Sequence, residues 1–203
     1  MAGTAKSRKA ALGFRTHSGW ASAILAAGRG GTIKILDRRH IALCDSTREG
    51  AKQPFHAAES MPFAQAEDHI ALCRKATAKL ADDAMKTARM ICERQGMRLS
   101  GVCVIAASGR ALPDLAGILA SHALIHAAEG EFYRDAIIAA AASAGIRAAR
   151  LKAADALFRV AEQLDTNEDA MTRALTEMGE TVGRPWTSDE KLAALAAWSL
   201  LAG

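Results

Sequence analysis

Apolar positions fall into runs of three kinds along this chain, and each kind predicts a different element. Residues 12–27, with Phe14, Trp20, Ile24 and Leu25 among them, read as extended chain, apolar apart from a polar set at Arg15, His17 and Ser18. Gly28-Arg29-Gly30-Gly31 then signals a turn, residues 32–36 (T-I-K-I-L) a second strand, Asp37-Arg38-Arg39 a tight polar turn, and residues 40–44 a third strand. The opening is thus expected to be a three-stranded antiparallel meander, preceded by a flexible basic arm over residues 1–10. Residues 45–62 carry glycine, two prolines and many polar side chains, which predicts a loop.

From residue 64 the period changes. Ile70, Cys73, Thr77, Leu80, Ala84, Ala88 and Ile91 recur at spacings of three and four, so a long helix is predicted over residues 64–95. Residues 99–107 (L-S-G-V-C-V-I-A-A) form an apolar run of the kind a central strand needs when both of its faces are covered. Ser108-Gly109-Arg110 is its exit loop. Residues 112–144 read as a helix with bends at Gly117 and Gly130, residues 146–151 as a fifth strand, and residues 153–164, 168–178 and 188–201 as helices. Thr166 is a cap for the second of these, and Thr187-Ser188-Asp189-Glu190 spells a capping box for the third.

Three antiparallel strands, a helix, a strand, a helix and a strand require right-handed crossovers, which put helices on both faces of a mixed sheet. Gly13-Phe14-Arg15-Thr16-His17-Ser18-Gly19-Trp20 opens that order. The combination resembles the ribonuclease H-like superfamily: ribonucleases H, Holliday-junction resolvases, transposases and actin-like ATPases. The resemblance covers residues 12–201 by topology. It implies an α/β domain over residues 11–203, with a mixed five-stranded sheet and a helical C-terminal extension from about residue 153.

The resemblance also implies an activity, and the residues argue against it. Cleaving phosphodiesters with two metal ions takes several carboxylates converging on cations about 4 Å apart. In the resembled nucleases the anchor is an aspartate in the first strand, and the position matching it here is Arg15. Neither Asp nor Glu occurs anywhere in residues 1–36 or 99–108. Resolvases place one more carboxylate on a last helix, where Asp189 or Glu190 would stand. The expectation is therefore a binding or interaction module without two-metal nuclease or ATPase activity.

Arg15, His17 and Ser18 make a compact polar set suited to an anion such as a phosphate, or alternatively a pair with a structural carboxylate, Glu129 or Glu131. Ser108, Gly109 and Arg110 offer a second anion cradle ahead of a helix. His122, His126, Glu129 and Tyr133 align on one helical stripe. Two histidines a turn apart, followed by a glutamate, suit a metal or a small His-dependent enzyme; hydrogen bonding to neighbouring loops explains the same stripe. Gln53-Pro54-Phe55-His56 lies in the longest loop, where function concentrates.

Bulk properties add bounds. A formal charge of +4 permits nucleic acid as a partner without demanding it. Alanine is close to a quarter of the residues, a GC-rich bacterial signature, and the long alanine-faced helices also suit a structural role in a larger assembly. Four cysteines without a C-x-x-C pair predict buried thiols in a reducing cytoplasm rather than disulfides or zinc. No membrane-length apolar stretch or secretory leader is recognised, and no cofactor is assigned.

Overall fold

The computed structural model describes residues 8–106 and 111–203. Within them β1 (Arg8–His17) and β2 (Trp20–Arg29) form a hairpin closed by Ser18-Gly19. This corrects the expectation of one extended run over residues 12–27. Both strands lie inside the sheet, and the polar residues Arg15, Thr16, His17 and Ser18 at the end of β1 sit between apolar stretches that read as one extended run. Gly19 makes the turn with φ +82°. β1 also begins at Arg8, within the segment expected to be an arm.

β3 (Thr32–Ala42) runs unbroken through Asp37-Arg38-Arg39, which are not a turn. Leu25 pairs with Asp37 and Ala26 with Ile35, so Leu36 is the extra residue of a bulge. An edge strand with one side in water tolerates that charge, and the bulge discourages further pairing.

The chain continues with α1 (Pro54–Ala58), α2 (Phe63–Arg94), β4 (Met97–Ala106), α3 (Leu115–Leu119), α4 (His122–Ser143), β5 (Arg147–Lys152), α5 (Ala156–Gln163), α6 (Glu168–Val182) and α7 (Ser188–Ser199). The sheet order is β3-β2-β1-β4-β5, with β1–β4 and β4–β5 parallel. This is the mixed five-stranded sheet expected from the sequence.

Two helical details differ from expectation. The span 112–144 is not one helix but is interrupted at Ala120-Ser121, where Ser121 is extended at φ −143°, and α4 continues through Gly130. Asp114 caps α3 by accepting from the Gly117 amide, and Gly130 leaves space for the Arg134 guanidinium. The cap of α6 is Asn167, not Thr166; its side-chain oxygen accepts from the Ala170 amide at 2.9 Å.

Helices cover both faces. Ala10, Leu12 and Phe14 of β1, with Val102 and Val104 of β4, pack under α2 and α4. The alternate residues Ala11, Cys103 and Ile105 face α5, α6 and α7. The strand period of two therefore sorts β1 and β4 between two apolar layers. No helix of the described residues is long and apolar enough to cross a membrane.

The α7 layer sets the functional geometry. A Cβ on Gly13 would sit 1.9 Å from the Ala193 carbonyl oxygen and 2.5 Å from the Ala197 nitrogen, so only glycine lets the helix backbone approach this closely. Ala193, Ala194, Ala196 and Ala197 are fully buried and keep that approach tight. Trp198 donates to the Gly30 carbonyl at 2.9 Å and ties the helix to the β2–β3 turn.

Candidate functional site

Gly13, Arg15 and His17 share one face of β1 because side chains alternate along a strand. Ala193 lies over Gly13, and Asp189 comes one helical turn earlier. Four helical residues advance roughly 6 Å and two strand residues roughly 6.6 Å, so Asp189 comes to lie over the Arg15–His17 pair. Its carboxylate stands 3.7 Å from Arg15 Nε and 3.0 Å from His17 Nε2. The carboxylate partner of Arg15 is therefore Asp189, not Glu129 or Glu131. Of the two acids at the start of α7, Asp189 faces this pair and Glu190 is turned away.

The capping box explains that division. The Thr187 hydroxyl accepts from the Asp189 amide, while Glu190 reaches back to accept from the Thr187 amide at 2.8 Å. Burial raises the Glu190 carboxyl, but the Thr187 hydrogen bonds outweigh it and leave the group below its ordinary value. Arg38 of β3 donates to the carbonyls of Gly183, Pro185 and Arg184 and fixes the segment leading into α7. Trp186 donates to Leu175 O at 2.8 Å and packs on Gly179, anchoring the same segment to α6.

Proximity here is not saturation. Arg15 Nε and His17 Nε2 are both buried without an aligned hydrogen bond, although His17 Nε2 is 3.0 Å from the carboxylate. Arg15 Nε, at 3.7 Å, is too far for a hydrogen bond, whereas His17 Nε2 is near enough but misdirected. Among the described residues Arg15 otherwise donates only a long contact of 3.4 Å to Thr16 O, which leaves guanidinium donors to spare. Beside it His17 stacks on Trp20 at 4.3 Å, and Trp20 on His40 at 4.0 Å. His40 is exposed, and exposed Lys52 runs alongside the Gly19 turn. Ser18 occupies that turn.

Ser108, Gly109 and Arg110 lie outside the described residues. The histidine stripe is arranged differently from the sequence expectation. Glu129 does not join His122 and His126 as a ligand but is 4% exposed beneath α1. Its Oε1 accepts from the amides of Phe55 (2.8 Å) and His56 (3.1 Å) and from His56 Nδ1 (3.2 Å). Burial pushes the Glu129 carboxyl up, and these hydrogen bonds offset only part of the rise. Tyr133 is buried and donates to the carbonyls of Ala51 and Lys52. Both residues thus tie the 45–62 segment to α4, the loop-bonding alternative. His56 is the residue the stripe lacked: it packs edge-on against His122 and His126.

No protein-family model matches the chain, and no curated protein matches its sequence. Among solved structures, Thermus thermophilus RuvC in complex with Holliday junction substrate aligns over 94% of this chain and 91% of its own, with a TM-score of 0.52 and 13% identity. The fold is ribonuclease H-like. A second Thermus thermophilus RuvC structure aligns over 94% of this chain and 92% of its own at 13% identity, with a TM-score of 0.48. In this ribonuclease H-like frame β1 is the central strand, and the Arg15–Asp189 pair sits at its carboxyl end.

The remaining candidates fall elsewhere or are inert. A groove of about 710 Å³ between β3 and α6 is lined by Ile33, Ile35, Arg38, Glu177 and Met178 among others, and by none of the residues around Arg15. Cys73, Cys92 and Cys103 are buried, and desolvation pushes the Cys103 thiol up to about 11. Thiols held protonated in this way are poor nucleophiles and poor metal ligands.

Proposed function

We propose that this chain is a ribonuclease H-like binding module that takes a phosphate-bearing ligand, of the nucleic-acid class, against Arg15 and His17, and that it does not cleave by a two-metal mechanism. The observation that carries this reading is the Arg15–Asp189–His17 cluster. A guanidinium 3.7 Å from the Asp189 carboxylate offsets its charge and repels a divalent cation. The same guanidinium, with donors to spare, favours an oxyanion.

Two features favour a nucleic acid over a bare anion. The His17–Trp20–His40 stack ends on an exposed imidazole whose outer face suits a base, as ring platforms do in single-strand binders. Lys52 beside the Gly19 turn supplies a second positive charge for a neighbouring phosphate. The likeness to RuvC holding a Holliday junction supports nucleic acid as the ligand class.

Fluorescence anisotropy with labelled single-stranded, duplex and four-way-junction DNA tests the proposal. Binding weakens with salt, and Arg15→Gln lowers the slope of log K against log salt by about 1, because one phosphate contact is lost. Absence of binding to all three, or an unchanged slope in Arg15→Gln, overturns it.

A further inference from the structure

On the opposite side of the sheet from α7, α1 meets the start of α4 and brings three imidazoles together. One nitrogen each from His56, His122 and His126 lies within 4.8 Å of the other two. His122 Nε2 and His126 Nε2 are 3.2 Å apart. Two nitrogens bound to one tetrahedral zinc at about 2.0–2.1 Å are separated by roughly 3.3 Å, so this pair already has the spacing of ligands on a common ion.

The outer nitrogens are equally telling. His56 Nδ1 faces Glu129 Oε1 at 3.2 Å, and His122 Nδ1 faces Glu59 Oε1 at 3.4 Å. A carboxylate accepts a proton-bearing nitrogen, so each contact selects the tautomer with hydrogen on Nδ1 and a lone pair on Nε2. Metal-binding histidines recur in this carboxylate–imidazole arrangement, which fixes ring orientation and raises ligand basicity. Glu129 is held in turn by two backbone amides of α1, so the His56 ring is preset rather than free.

We propose that His56, His122 and His126 form a three-histidine site for a divalent transition metal of the zinc class, with Glu129 as the positioning residue of His56. Three neutral nitrogens suit zinc, cobalt or nickel, and not magnesium, which prefers oxygen. His122 and His126 are exposed, so the fourth tetrahedral position opens to solvent. An open position of this kind admits a water or an anionic ligand. The site spans α1 and α4, and a bound ion would clip the 45–62 segment to the helix layer. It uses no residue of the Arg15 cluster and stands or falls separately.

Cobalt(II) titration of the full-length chain, stripped beforehand with a chelator, gives a readout independent of any activity. Tetrahedral cobalt with nitrogen ligands produces visible d–d absorption that zinc bleaches on displacement. The expected result is saturation at one ion per chain, loss of the bands in His126→Ala, and about 10- to 100-fold weaker binding in Glu129→Gln, which can still accept the α1 amides. His126 is exposed, so its replacement leaves the fold intact; circular dichroism verifies this. Absence of tetrahedral bands in the parent chain, or the same titration in parent and His126→Ala, overturns the proposal.

Discussion

Arg15 meets Asp189 because Gly13, two residues earlier on the same face of β1, has no side chain to hold α7 away. Any larger residue there would drive a carbon into the Ala193 carbonyl. Gly13→Val is therefore expected to lower stability in urea unfolding by about 1–3 kcal/mol or more, the range for overpacking a close contact. Unchanged stability would mean that the helix is not seated on β1. Buried Glu129 near α1 and half-buried Glu131 near β5 give opposite pH behaviour. Burial raises Glu131, but Arg134 and Arg150 overcome it and set the group below its ordinary 4.5. Its contribution is thus present above 4.5 and lost as pH falls through the lowered folded-state value. Glu129 is raised above 4.5, so its contribution is present below that value and lost as pH rises through the folded-state one. In metal-free protein, Glu131→Gln should lose stability relative to the parent as pH rises from 4 to 8, while Glu129→Gln should gain. Parallel pH profiles for the two variants would contradict these assignments.

At the scale of elements, α7 is aimed by its own start. Thr187→Ala removes the hydroxyl half of the capping box and should cost about 1 kcal/mol in thermal or urea unfolding, with a loosened Asp189. That box was legible in the sequence, as were the long α2, the buried β4 and the order of strands and helices. The β1–β2 boundary was not, because the polar stretch Arg15–Ser18 reads equally as a polar patch inside one strand and as the approach to a turn. Gly19 was the available signal, and Gly28–Gly31 a louder one. Asp37-Arg38-Arg39 misled for a related reason: three charges look like a turn, yet an edge strand carries them without cost. The site was half visible. Arg15 and the choice between Asp189 and Glu190 could be named from sequence. Their meeting depends on α7 crossing β1 at Gly13, a long-range contact no local pattern encodes. His56 was hidden likewise, lying in a loop far along the chain from His122 and His126, with only its place beside Pro54 and Phe55 to mark it.

Seen as a whole, the molecule separates two chemistries by its sheet. On one face α7 brings a carboxylate down onto a guanidinium and an imidazole at the carboxyl end of the central strand. On the other, α1 and α4 gather three imidazoles backed by carboxylates. The ribonuclease H-like frame supplies the crossing of last helix over first strand. At that crossing Arg15 and Asp189 form an ion pair, and on the proposed reading the guanidinium repels a divalent cation and takes an anion. The most direct test compares the parent chain with Asp189→Asn for both binding and cleavage of labelled DNA in magnesium. Removing a negative charge beside Arg15 frees the guanidinium, so the account predicts tighter binding by the variant and no cleavage by either protein. Magnesium-dependent cleavage by the parent, lost in Asp189→Asn, would show that Asp189 seats a metal and would contradict it.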